Sequence, residues 1–187
     1  MYTNTMLYHL LLILLAIAIV IVYIVIAFIY TDKKKTTIPF LPIPDELLNP
    51  IHDELTLYAG ATLYDLGCGN AKVLRYCLKQ QPTIHAVGVE LGHLPFFLGS
   101  LWNFLKPLKN LVLLKRNFFD VSIESADRVF IYLLPHVIKK LVPKFRKELK
   151  AGTIIVACNY ECDGLEKLHI SQHAVQDKKF ILYVYKI

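Results

Sequence analysis

Apolar residues are laid out along this chain in two different ways. From Leu10 to Tyr30 the sequence reads LLLILLAIAIVIVYIVIAFIY, without a charge and without a polar face. Beyond Asp45 the apolar positions break into short runs that alternate between helical spacing and strand-like blocks. Leu47, Leu48, Ile51, Leu55 and Tyr58 predict a helix over Asp45–Tyr58, closed by Gly60. Strands are predicted at Thr62–Leu66, His85–Glu90, Asn110–Lys115, Asp127–Leu133 and Thr153–Cys158. Helices are predicted at Ala71–Lys79, Leu94–Leu105 and His136–Leu149. Two last strand-like runs, Leu168–Gln176 and Phe180–Ile187, leave no room for a helix between them and predict an antiparallel hairpin. Such alternation implies an α/β domain with a mainly parallel sheet covered on both faces.

The first apolar run matches the thickness of a bilayer core, since about 20 helical residues cover about 30 Å. Tyr8 at one end, with Phe28 and Tyr30 at the other, suits the two interfaces. A cleaved signal peptide would need a basic leading region and a shorter apolar core, and residues 1–9 hold no Lys or Arg. A soluble helix of this length would show a polar face. The pattern predicts a single transmembrane helix. Asp32-Lys33-Lys34-Lys35 follows it, so the carboxy-terminal side is expected in the cytoplasm and the short amino terminus outside. Three parts follow: an anchor at 1–31, a basic, proline-rich link at 32–44, and a folded domain at 45–187. Pro39, Pro42 and Pro44 favour extended backbone and keep that domain close to the membrane.

The chain of 187 residues is 55% hydrophobic with a mean hydropathy of +0.45, and the excess sits in the amino-terminal run. What remains is one domain's worth, with little room for a separate substrate domain. The net charge of +6 comes from the juxtamembrane lysines and from Lys106, Lys109, Lys115, Arg116 and the Lys139–Lys150 stretch. Attraction to anionic lipid heads fits that distribution. A solvated helix face is the plainer account of Lys139 to Lys150. No nucleic-acid partner is expected, because no aromatic-basic interleaving of a known module is present. Cys68, Cys77, Cys158 and Cys162 form no C-x-x-C pair, and no histidines stand at zinc spacing. Free thiols in a reducing compartment are expected, and no metal site.

The chemistry is concentrated in Leu63-Tyr64-Asp65-Leu66-Gly67-Cys68-Gly69-Asn70-Ala71, followed by Val87-Gly88-Val89-Glu90. A glycine turn after one strand and a carboxylate closing the next, about 20 residues on, is the layout of a nucleotide-like cofactor site. A dinucleotide fold wants a small third residue where this chain has Lys72. The pattern acid-x-G-x-G-x-G accommodates Asp65, Gly67 and Gly69, with Ala71 in the third place. The chain thus resembles class I S-adenosylmethionine-dependent methyltransferases. That resemblance implies a Rossmann-like seven-stranded methyltransferase sheet with an antiparallel last strand, here preceded by the single transmembrane helix. It implies S-adenosyl-L-methionine as cofactor, with Asp65 meeting the methionine amino group. The backbone of Gly67, Cys68, Gly69 and Asn70 would lie along the carboxypropyl and ribose portions. Glu90 would bind the ribose hydroxyls, while Asn117 and Phe118 would hold the adenine. Core packing accounts equally well for Phe118 and Phe119, and Asp120 is expected to cap a turn.

After the fourth strand comes Tyr132-Leu133-Leu134-Pro135, without the Asn/Asp-Pro-Pro-Tyr/Phe form of methyltransferases acting on DNA bases or glutamine. Ser125–Pro135, Leu141–Phe145 and Glu148–Thr153 resemble small bacterial relatives of the mitochondrial membrane-anchored protein-lysine N-methyltransferases. Those relatives also carry an amino-terminal transmembrane segment and a stretch like Pro39–Pro44. The resemblance implies methylation of a lysine on a membrane-associated protein. Tyr132 would orient the amine, with Leu133 and Pro135 on the substrate side. Ala71 for glycine and Asn70 for the usual Asp depart from the relatives. Two alternatives stay open: a lipid or quinone-like acceptor, and a non-catalytic binding protein that keeps the fold. A nucleotide-dependent reductase is disfavoured by Lys72.

Overall fold

The computed structural model describes residues 2–35, 41–175 and 178–187. The chain divides into two compact units, Met1–Thr37 and Ile38–Ile187. The first is one helix, α1 (Tyr2–Lys35), 34 residues long. Its stretch Met6–Tyr23 is long and apolar enough to cross a membrane, and none of it is buried in protein. The helix runs on through the basic flank to Lys35.

The second unit opens with a single 3-10 turn at Asp45–Leu47. It continues through α2 (Leu48–Leu55), β1 (Thr62–Leu66), α3 (Lys72–Gln80), β2 (His85–Glu90), α4 (His93–Leu105) and β3 (Leu111–Lys115). After another 3-10 turn at Phe118–Asp120 come β4 (Arg128–Ile131), α5 (Pro135–Glu148), β5 (Ile154–Cys158), β6 (Glu166–Val175) and β7 (Lys178–Lys186). One seven-stranded sheet has the order β3-β2-β1-β4-β5-β7-β6. Strands β1 to β5 are parallel, and β7 is antiparallel to both β5 and β6. The winding reverses between β1 and β4, which opens a crevice at their carboxyl ends. Leu47, Ile51, Leu55 and Leu74 pack on one face. Ile138, Leu141 and Phe145 of α5 cover the other, against Val129, Ile131 and Ile155.

Three expected boundaries move, each for a local reason. The helix over Asp45–Tyr58 splits into the 3-10 turn and α2, which ends at Leu55 with Thr56 in the left-handed region at φ 43°. Arg128 ends it: Nε donates to the Leu55 carbonyl at 2.6 Å and Nη2 to that of Thr56 at 3.2 Å. A cation on the last carbonyls satisfies acceptors that the helix itself leaves open. Gly60 does not cap; it sits in the turn where Ala61 N–H donates to Tyr58 O. Strand β4 stops at Ile131, not Leu133, because Leu134 caps α5 and Pro135 takes its first position, where a missing N–H costs nothing. The folded unit also reaches back into the expected link. Ile43 is buried, its carbonyl accepts from Lys72 Nζ at 2.6 Å, and Lys72 pairs with Asp45 at 2.8 Å.

Close packing under the site depends on Gly88 in β2. A Cβ there would stand 2.7 Å from Cys68 Sγ, 2.8 Å from Leu113 Cδ2 and 2.9 Å from Leu74 Cδ1. Those atoms are side-chain ends from three different segments, and all three would have to shift. Gly88→Ala is expected to cost roughly 1–3 kcal/mol, the usual range for overpacking. Thermal melting in detergent would show it as a midpoint lowered by several degrees.

Candidate active site

Five strands deliver one polar residue each to the same edge of the sheet. Asp65 is the penultimate residue of β1, Glu90 closes β2, and Asn117 follows β3; Tyr132 and Asn159 come one residue past β4 and β5. The turn after β1 is left-handed at Gly67 (φ 88°), Gly69 (φ 57°) and Ala71 (φ 61°). Glycine meets such angles without strain, while Ala71 carries a cost of about 1–2 kcal/mol. Gly67 and Cys68 N–H both donate to Val89 O, at 2.8 and 3.1 Å, which folds the turn onto the end of β2. Glu90 completes the closure. Its Oε2 accepts from Gly69 N–H at 2.8 Å and its Oε1 from Gly92 N–H at 2.5 Å. Each oxygen keeps a lone pair that could accept from a ligand hydroxyl.

Asp65 is 3% exposed, and no cationic side chain pairs with its carboxylate among the described residues. Burial pushes its carboxyl well above the usual range, and the charge of Glu90 pushes the same way. A buried acid without a cation is costly, and this one could hold an ammonium group. Cys68 turns its thiol into the core against Gly88, so only its main chain borders the turn. Asn70 is pressed by α4, where a Cβ on Gly99 would lie 3.1 Å from the Asn70 carbonyl carbon. Asn117 caps the 3-10 turn, its Oδ1 accepting from Phe119 N–H at 3.1 Å, so the cap expected of Asp120 belongs to Asn117. The ring of Phe118 is buried in the core, and the open ring is that of Phe119, 4.8 Å away between centroids.

A cavity of about 820 Å³ is lined by Ile43, Asp45, Lys72, Tyr132, Asn159 and Phe180, among others. Asn159 Nδ2 donates to Tyr132 Oη at 3.4 Å. Burial raises the Tyr132 phenol, as does the neighbouring Cys158. Asn159 is held in the left-handed region at φ 66°. Its N–H donates to Ile181 O at 2.7 Å and its Oδ1 accepts from Ile181 N–H at 3.1 Å, which locks the side chain to β7. Leu133 lies buried under Gly67, and Pro135 is exposed at the start of α5. Sequence reasoning missed Asn159 and the wall made by Lys72. The available signal for Asn159 was a polar residue one step past the fifth predicted strand. Its cysteine neighbours, Cys158 and Cys162, are buried, with thiols pushed up to about 12 by desolvation.

Sheet order, glycine turn and strand-end carboxylates define a class I S-adenosylmethionine-dependent methyltransferase. The ANTKMT methyltransferase domain matches residues 65–169, more than half of the chain, and the protein belongs to that family. A protein-lysine N-methyltransferase of Saccharolobus islandicus is 29% identical over 152 residues, covering 80% of this chain and 94% of that one. Among solved structures, an RNA methyltransferase of Salinibacter ruber bound to S-adenosyl-L-homocysteine superposes with a TM-score of 0.70. It is 20% identical and covers 79% of this chain and 94% of that chain. A precorrin-6y C5,15-methyltransferase of Geobacter metallireducens gives 0.66 at 16% identity, covering 83% and 96%. At these identities the structures share the fold alone.

The residues fit the cofactor, because the buried Asp65 carboxylate suits an amino-acid ammonium. Between about pH 4, where an unfolded Asp titrates, and its raised folded value, the native state holds an extra proton at Asp65. Ligand-free stability therefore falls as pH rises through that window. Asp65→Asn is expected to melt higher than the parent at about pH 8, with the gap closing toward pH 4. The same variant is expected to bind S-adenosylmethionine roughly 10- to 100-fold more weakly, by loss of a charged contact. Melting curves and calorimetry on the two proteins check both signs.

Proposed function

We propose that this enzyme N-methylates a lysine side chain of a membrane-associated protein at the cytoplasmic face, with α1 as its transmembrane anchor. The observation that carries the reading is the Tyr132–Asn159 pair facing the cavity. The Saccharolobus relative, a protein-lysine N-methyltransferase, supports a lysine acceptor. So does Tyr132-Leu133-Leu134-Pro135, which stands where base and amide methyltransferases carry their Asn/Asp-Pro-Pro clamp. In this reading Asp65 faces the cofactor's ammonium and Glu90 its ribose hydroxyls. The main chain of Gly67 to Asn70 runs alongside, and Asn117 holds the adenine edge, with Phe118 behind it and Phe119 against the ring.

S-adenosylmethionine supplies a methyl group on a positively charged sulfur, already set for displacement. What the protein adds is position. A lysine must lose its proton before its nitrogen can attack. The apolar side of the cavity, Ile43, Tyr132, Val175 and Phe180, disfavours the charged form and lowers the amine's pKa. Tyr132 Oη, steadied by Asn159, accepts from the amine N–H and so aims its lone pair.

Membranes incubated with methyl-labelled cofactor test the acceptor. Label is expected on protein and, after hydrolysis, as methyl-lysine. Label confined to extracted lipid would move the reading to a lipid or quinone acceptor, and label in nucleic acid would overturn it. Tyr132→Phe is expected to lower kcat about 10- to 100-fold, the scale of a misplaced reactant, with cofactor affinity unchanged.

The anchor rests on α1's apolar length and on the lysines at 33–35. The full chain is expected to resist alkaline carbonate and to show a carboxy-terminal reporter inside the cell. Release by carbonate, or removal of the apolar segment from the mature protein, would show that α1 does not span.

A further inference from the structure

Helix α4 is an apolar element that the rest of the folded unit leaves largely uncovered. It carries no charge from Leu94 to Leu105, and only Pro95 and Gly99 are buried. Phe104 is 82% exposed, Leu105 60%, Phe97 56% and Trp102 48%. Phe97, Leu101, Phe104 and Leu105 follow one another at helical spacing and form one continuous stripe. Single exposed apolar residues need no explanation, but a contiguous stripe of large ones marks a surface that something covers.

The charges around it say what. From Leu91 to Phe119 the chain has no Asp or Glu, yet it has Lys106, Lys109, Lys115 and Arg116. Lys106 and Lys109 are exposed just past the carboxyl end of α4, and Arg116 is exposed at the end of β3. Lys115 turns to the Leu91 carbonyl. Exposed aromatic and leucine side chains beside unneutralised cations are the composition of a helix lying in an anionic lipid interface. A second copy docked on this face would set cations against cations, because a two-fold interface brings equivalent patches together.

We propose that α4 docks in the headgroup region of an anionic bilayer, with its Phe97–Leu105 stripe among the upper acyl chains. The inference stands on α4's own exposure and charge, and holds whether or not α1 spans. Its consequence reaches the active site. The buried side of α4 rests at Gly99 on the Asn70 backbone, so the element that meets lipid also supports the cofactor turn.

Trp102 is the chain's single tryptophan, so its fluorescence reports α4 alone. The full chain would be placed in vesicles of phosphatidylcholine, with or without phosphatidylglycerol, whose acyl chains carry bromine as a quencher. Emission is expected to shift to shorter wavelength and to be quenched, more strongly when phosphatidylglycerol is present. Lys106→Glu with Lys109→Glu is expected to weaken docking by roughly fivefold or more per cation. Phe97→Ser with Phe104→Ser is expected to abolish quenching while cofactor binding stays intact. Unshifted, unquenched emission in both vesicles would overturn the proposal. A shift without quenching that grows with protein concentration would also overturn it, and would assign the stripe to a second copy. Equal quenching in both vesicles would overturn the selectivity for anionic heads. Carbonate extraction reads α1 separately.

Discussion

The Glu90 carboxylate is the fixed point of this site. One oxygen holds Gly69 of the turn after β1, and the other holds Gly92 ahead of α4. Two loops from neighbouring strands are thereby set relative to each other before any ligand arrives. Charge-assisted bonds to backbone N–H groups are about twice as strong as neutral ones, and here they replace water at donors a tight turn would otherwise leave open. Everything a cofactor would touch on this side hangs on that clasp. The glycine turn is closed against Val89 by the same approach, and the start of α4 is positioned by it. Pre-setting the turn lowers the ordering cost that binding would otherwise meet.

Beside this clasp the site keeps two features that work against stability. Asp65 is a buried acid with no cationic partner among the described residues, and Ala71 holds a left-handed angle where the related motif has glycine. The Ala71 methyl is fully buried, which returns about 0.8 kcal/mol against an angular cost of about 1–2 kcal/mol. The departure from glycine is therefore nearly neutral for the fold. Asp65 is different, since burial and the charge of Glu90 both disfavour its charged form. A cation in place would offset that cost.

The strands were readable because each is a short apolar block between turn residues, and such blocks depend little on their surroundings. The glycine turn and Glu90 were readable because their spacing is set by the length of one β-α-β unit. What the pattern did not show were arrangements made by distant residues. Arg128 ends α2 from across the sheet, and neither residue announces the other. Asn159 is fixed by β7, more than twenty residues later in the chain. Phe118 and Phe119 are adjacent and alike, and only packing decides that the first is core and the second open. The exposure of α4 was equally hidden, since the same apolar spacing describes a buried helix.

Size forces the remaining economy. Between β3 and β4 the chain makes a single 3-10 turn, and no helix lies between β5 and β6. The cavity beside Tyr132 draws part of its lining from what precedes β1. Lys72, the residue that spoils a dinucleotide reading of the glycine motif, grips the Ile43 carbonyl and the Asp45 carboxylate. That grip holds residues 41–46 as one wall of the cavity, opposite Tyr132 and Asn159.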